Sequence, residues 1–340
     1  MIVALAGGVG GAKLADGLYQ ALPPDQLTIV VNTADDFTLH GLAISPDLDT
    51  VLYTLAGLAN PQTGWGVRDE TFHGLEMLAR YGGPDWFRLG DRDLATHITR
   101  TALLREGATL TQVTERLARA LGVQARLLPM CDEQVATIVE TPDGPLAFQE
   151  YFVHRQCRDT VTGIRLEGIE QARISAALDQ ALGQAEAIIF CPSNPFVSIE
   201  PILRVGGLRE RLRALGVPIV AVSPIVAGQA LKGPAARMLE DLGQDTSVAG
   251  IAALYADLNL TLFIDERDRA LAPAVRAAGA RPVMAPIIMQ DQAARVALAR
   301  RVLAEIPQLR AQLAQSGDGR HPSGTDYSRS ATLLETEGAL

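Results

Sequence analysis

An α/β fold built on a doubly wound, mainly parallel sheet is the architecture this sequence predicts, and three observations predict it. Short, mostly apolar runs recur along the chain: Ile2–Ala6, Leu27–Asn32, Ala187–Phe190, Pro218–Val222, Thr261–Ile264 and Pro282–Met284. Continuous rather than alternating runs suit strands covered on both faces. Stretches with helical apolar spacing separate them. Gly7, Cys191-Pro192, Ser223-Pro224 and Asp265 close four of the runs, as expected where a strand hands over to a loop. The first run, the glycine turn Gly7–Gly11, the helical pattern from Ala12 and the second run form a βαβ unit, normally right-handed and parallel. The frame is Rossmann-like.

The elements follow in order. Residues 47–122 read as an inserted helical lobe. Val135–Glu140 and Leu146–Phe152 flank Thr141-Pro142-Asp143-Gly144-Pro145, which reads as a small β-hairpin region. One α/β domain is expected over residues 1–305. A mobile tail is expected over 306–340, which is rich in Gly, Ser and Arg from about Ser316.

Composition narrows the function. A net charge of −9 over 340 residues argues against a nucleic-acid binder, which needs clustered Lys and Arg. No apolar run reaches the ~18 residues of a membrane span. Cys131, Cys157 and Cys191 form no CxxC and no disulfide framework, so reduced thiols and a cytoplasmic location are expected.

The chemistry-bearing segments cluster after strand ends. Gly7, Gly8, Gly10 and Gly11 sit where the first strand feeds a helix. They serve either tight packing or an anion site built from helix-start N–H groups. Neither the Walker pattern nor GxGxxG is met, because Lys13 stands at the third glycine position. Asp35-Asp36 follow the second strand and suit either a divalent cation or an Asx turn. Ser45, Pro46 and Asp49 read as ordinary helix-start chemistry, worth about 1 kcal/mol. In Trp86–His97, Asp91 or Asp93 can cap a helix, Arg88 and Arg92 can meet phosphate, and Trp86 can pack on a flat ring. His97 reads as a packed residue, because no second His or Cys stands at zinc spacing. Ser193 and Asn194 suit a helix cap that also binds an anion, and Lys232 suits a phosphate. Cys131 has no evident activator.

Together these segments resemble the CofD-type 2-phospho-L-lactate transferase family of coenzyme F420 biosynthesis. The resemblance rests on Gly7–Lys13, Asp35-Asp36 through His40-Gly41, Pro46–Thr50, Gly64–Glu70, Trp86–His97, Pro192–Pro195 and Ser223–Gly228, in family order. It implies transfer of a phosphorylated three-carbon acid (lactyl, enolpyruvyl or glyceryl) from its guanosine diphosphate ester to the ribityl hydroxyl of the deazaflavin FO. GMP is released and F420-0 or its dehydro form results. Mg2+ is the implied cofactor and a homodimer the implied assembly.

By the same resemblance Asp35 and Asp49 are the catalytic and magnesium-binding carboxylates, and Asp49 and Arg88 contact FO. Gly8, Gly10, Gly11 and Lys13 line the guanylyl diphosphate, with Ser193, Asn194 and Lys232 behind it, and Asp36 joins the substrate contacts. The rival is a nucleotide-sugar-binding regulatory protein of the gluconeogenesis-factor type. Phe37–Gly41 and Gly90–Asp93 follow the transferase pattern instead.

Overall fold

The computed structural model describes residues 1–230 and 233–315. Seven parallel strands form the central sheet: β1 (Ile2–Ala6), β2 (Leu27–Val31), β3 (Arg126–Pro129), β4 (Ala187–Phe190), β5 (Ile219–Val222), β6 (Thr261–Ile264) and β7 (Arg281–Met284). Their order is β3-β2-β1-β4-β5-β6-β7, so the winding reverses between β1 and β4. That reversal is the topological switch point, where open α/β sheets bind ligands.

The continuous apolar runs are explained by burial on both faces. Val3, Leu5, Val30, Ile188 and Phe190 enter one core. Their neighbours Ile2, Ala4, Ile29, Val31 and Ile189 enter the other. Period-two alternation sends successive side chains to opposite layers, and both layers are apolar.

Strand β3 was not among the expected runs. It is an edge strand of four residues, Arg-Leu-Leu-Pro, with Arg126 exposed, too short and mixed to stand out. Between β2 and β3 lie a short hairpin (Phe37–Leu39 with Leu42–Ile44) and helices α2 (Pro46–Leu55), α3 (His73–Arg80), α4 (Asp91–Arg105) and α5 (Leu110–Ala120).

The expected hairpin around residues 141–145 is present but smaller on its second arm and larger overall. Ala136–Glu140 pairs antiparallel with Leu146–Ala147 and also with Gly163–Glu167. The chain then winds into a helical turn at Glu150–His154. Phe148 and Tyr151, three apart, both enter a small apolar cluster with Val139 and Met238, which a strand could not arrange.

The tail expectation is corrected at its start. A helix runs from Gln292 to Gln315 through Pro307, and Ile306 and Leu309 continue its buried face. It packs on α1 (Val9–Ala21), where a Cβ on Gly17 would lie 2.3 Å from the Arg295 carbonyl oxygen. Asp16 and Arg295 pair beside that contact at 2.9 Å. Residues 316–340 lie outside the described residues. No helix among the described residues is long and apolar enough to cross a membrane.

Candidate active site

A cavity of about 610 Å³ opens at the carboxyl ends of β1 and β4. Its floor is the glycine turn and the Pro192-Ser193-Asn194 loop, laid against each other. The Gly7 N–H donates to Ser193 Oγ at 3.0 Å. A Cβ on Gly10 would lie 2.3 Å from the Pro192 carbonyl oxygen, and one on Gly11 2.7 Å from Ser193 Oγ. These glycines are required for close approach, since none of them has positive φ. Gly8 and Gly10 line the cavity together with Val9, presenting the start of α1 to a ligand. Gly11 does not line it. Its place is in the packing.

Lys13 also lines the cavity, and its Nζ donates to the Met289 carbonyl oxygen at 3.0 Å. Ser193 and Asn194 line it as well. Asn194 Oδ1 accepts from the Phe196 N–H at 2.9 Å and caps the turn Pro195–Ile199. Lys232 lies outside the described residues.

Above the floor stand three carboxylates. Asp47 lies against the glycine turn, with Oδ1 2.7 Å from where a Gly8 Cβ would be. Its Oδ2 accepts from Asn32 Nδ2 at 3.0 Å. Asp47 thus meets the N-termini of both α1 and α2, whose dipoles favour an anion. Burial pushes its carboxyl up to about 6. Burial, then the charges of Asp47 and Asp36, raise Asp35 well above the usual carboxylate range. One oxygen each of Asp35 and Asp36 is buried without a hydrogen-bond partner. Asp36 does not line the cavity. Its Oδ2 accepts from Ser45 Oγ at 2.6 Å, which places it in a supporting position. That bond also corrects the expected capping role of Ser45, whose hydroxyl makes no cap bond to α2.

On the lobe side Asp49 and Arg88 both line the cavity. Asp49 is buried, and its carboxylate takes both terminal nitrogens of Arg100. The helix-start reading missed this ion pair, whose partner lies 51 positions away. Tyr53 donates to Asp93 Oδ1 at 2.7 Å, and His97 Nε2 lies 3.2 Å from the same oxygen. Asp49, Asp93 and His97 are close enough to hold a metal ion. Arg100 and Tyr53 already neutralise and occupy them, so this corner is closed. His97 is packed, as the lack of a second His or Cys at zinc spacing suggested.

The expected caps of α4 are exchanged. Asp91 accepts from the His73 and Gly74 N–H groups at the start of α3. Glu70 accepts from the Arg92 and Asp93 N–H groups at the start of α4. The Arg88 guanidinium lies 4.2 Å from the Phe72 ring centroid. Arg92 stays outside the cavity, with an exposed bond to the Arg68 carbonyl. Trp65, Trp86, Phe87, Phe148 and Phe152 give the remaining wall an aromatic surface. Trp86 stacks on His154 at 5.3 Å and Phe148 on Phe152 at 5.4 Å. Cys131 lies away from the cavity, and burial pushes its thiol up to about 12, which suits an inert side chain.

A switch-point cavity with a helix start on its floor, carboxylates above it and an aromatic wall is where an α/β protein of this topology binds a small molecule. Residues 2–298 match the family described as 2-phospho-L-lactate transferase CofD, and the chain belongs to that family. It is an enzyme of the transferase class. A phosphoenolpyruvate transferase of Streptomyces griseus is 44% identical over 317 residues, covering 91% of this chain and 99% of the relative. A 2-phospho-L-lactate transferase of Methanosarcina mazei is 40% identical over 269 residues, covering 79% and 88%. In fold the chain is similar to a UPF0052-family protein of Bacillus halodurans, with TM-score 0.57 and 13% identity over 89% of this chain and 98% of the other.

Proposed function

We propose that this enzyme transfers a 2-phospholactyl, phosphoenolpyruvyl or phosphoglyceryl group from its guanosine diphosphate ester to the ribityl hydroxyl of FO. The observation that carries the reading is the two-ended cavity. A glycine turn and helix start suited to a diphosphate share it with an aromatic wall suited to a flat deazaflavin ring. The names of the relatives support the same chemistry, and the 44% match makes the enolpyruvyl ester the first donor to try.

In this reading the acceptor hydroxyl attacks the phosphorus that carries the acid. The bond from that phosphorus to the oxygen bridging to GMP breaks, GMP leaves with that oxygen, and the hydroxyl proton passes to a carboxylate of the cavity. Such a transfer needs alignment and charge neutralisation more than covalent help. Gly8, Gly10 and Lys13 hold the diphosphate, with Ser193 behind them. Arg88 and the aromatic wall orient the acceptor.

The residues fit a magnesium ion. Asp35 has a buried oxygen without a partner, and burial and the charges of Asp47 and Asp36 raise its carboxyl. Asp35 would hold the ion, which would supply neutralisation of the diphosphate. Asp49, which the resemblance also implied as a ligand, has both oxygens taken by Arg100 and is left out of the set. The test is turnover with FO, magnesium and the three donor esters supplied separately, read as deazaflavin product mass and GMP release. Product with one donor supports the reading and identifies the acid. No product, with no FO binding and stabilisation by a UDP-sugar, replaces it with the regulatory binding protein.

A further inference from the structure

We infer that Arg100 is a positioning residue that fixes the direction in which Asp49 presents its carboxylate to the cavity. Asp49, Asp93, His97 and Tyr53 line the cavity, whereas Arg100 lies behind them. It is the largest fully buried side chain of the described residues, at 2% exposure. A guanidinium is kept in such a place only if its donors are matched.

The two terminal nitrogens of Arg100 are matched from two other elements, α2 and the short hairpin, and Nε alone is buried without a partner. Nη1 donates to Asp49 Oδ2 at 3.0 Å, and Nη2 donates to Asp49 Oδ1. Nη1 also reaches the Ala43 carbonyl of the short hairpin at 3.3 Å. The hairpin is held to α4 again where Thr101 Oγ accepts from the Ala43 N–H at 2.8 Å. One planar fork from α4 therefore fixes both oxygens of a carboxylate on α2.

A second layer fixes the fork. His97 Nδ1 lies 3.2 Å from Nη1. Arginine has no acceptor, so Nδ1 receives the hydrogen and the ring proton stands on Nε2. Nε2 lies 3.2 Å from Asp93 Oδ1 without a hydrogen bond to it, and Tyr53 donates to that same oxygen. Burial keeps the Tyr53 phenol protonated and able to donate. The chain of contacts runs Tyr53, Asp93, His97, Arg100, Asp49, with Asp93, His97 and Arg100 on one side of α4 at spacings of four and three. Its end at the cavity is Asp49. Lysine cannot reproduce a bidentate fork, which makes Arg100→Lys a charge-conserving probe.

The inference rests on the reading that Asp49 faces the reacting groups. Its test is a double-mutant cycle of Asp49→Asn and Arg100→Lys, read as kcat and as KM for FO, with cooperative melting as the folding control. Arg100→Lys is expected to lower kcat about 100-fold, the scale of a 1 Å misplacement, with KM for FO nearly unchanged. In the Asp49→Asn background the same change is expected to lower kcat no further. Additive losses, or wild-type kcat in Arg100→Lys, would overturn the assignment.

If Arg100→Lys does not fold, Arg100→Gln in the Asp49→Asn background removes both charges, and a kcat below that of Asp49→Asn alone overturns it. Wild-type turnover is measured first, and its absence removes the proposed reaction. The clamp is then decided by a crystal structure of Arg100→Lys. An Asp49 carboxylate turned away from the cavity supports it, and one that has not moved overturns it.

Discussion

Two groups of carboxylates face the same cavity in opposite electrostatic states. Beside the glycine turn, buried Asp35 and half-buried Asp47 line the cavity with half-buried Asp36 behind them, all with raised carboxyls, and Asp35 and Asp36 each keep one oxygen without a partner. On the lobe side, Asp49 and Asp93 are buried, yet Arg100 and Tyr53 satisfy them. Residue type is the same in both and surroundings decide the difference. In the first group only Asp36 feels a cation, that of Arg100, and this is where we propose a cation and a diphosphate. The second is a scaffold that aims a side chain.

The largest way to break the contrast is to unbalance the satisfied side. Asp49→Ala leaves Arg100 buried without its partner and is expected to cost about 3–5 kcal/mol in chemical denaturation. That far exceeds the ~1 kcal/mol of a helix-start acid. A loss near 1 kcal/mol would mean that the ion pair contributes little. Next is the floor. A methyl on Gly10 meets the Pro192 carbonyl oxygen, so Gly10→Ala is expected to cost about 1–3 kcal/mol and weaken donor binding, checked by melting and by GDP titration.

The unsatisfied side makes a pH prediction of opposite sign to the usual carboxylate. Burial raises the Asp47 carboxyl to about 6 in the folded protein, against 3.8 for an ordinary aspartate. Between those values the folded state holds more protons than the unfolded one, so stability falls as pH rises through the window. In metal-free buffer the melting temperature is expected to contain this falling component, and Asp47→Asn is expected to flatten it. Equal slopes in both proteins would contradict the charge crowding. The smallest effect expected is that of Arg88→Ala, a loss of about 1 kcal/mol in FO affinity from removal of a cation beside the aromatic wall. Fluorescence titration checks it.

Legibility in the sequence followed the range of the interactions. Strands β1, β2, β4, β5 and β6 were readable because burial on both faces leaves an uninterrupted local run. Short edge strand β3 leaves none. Asp35, Asp49, Arg88, Gly8, Gly10, Lys13, Ser193 and Asn194 were expected at a site and all line the cavity. Gly11 and Asp36 support it from behind. Asp47, within the Pro46–Thr50 segment, was not singled out, because its side chain meets a turn some forty positions earlier. The exchanged caps at Glu70 and Asp91, and the Arg100 pair, likewise join distant positions. One local signal was available: Asp93, His97 and Arg100 recur at helical spacing, which puts three polar groups on one face of α4.

The most direct test of the central contrast is calorimetric titration of magnesium into wild-type protein in the presence of GDP, repeated with Asp35→Asn and with Asp93→Asn. The structure leads us to expect binding that Asp35→Asn abolishes and Asp93→Asn leaves in place. Binding lost in Asp93→Asn and kept in Asp35→Asn would put the cation at the satisfied corner and contradict the account.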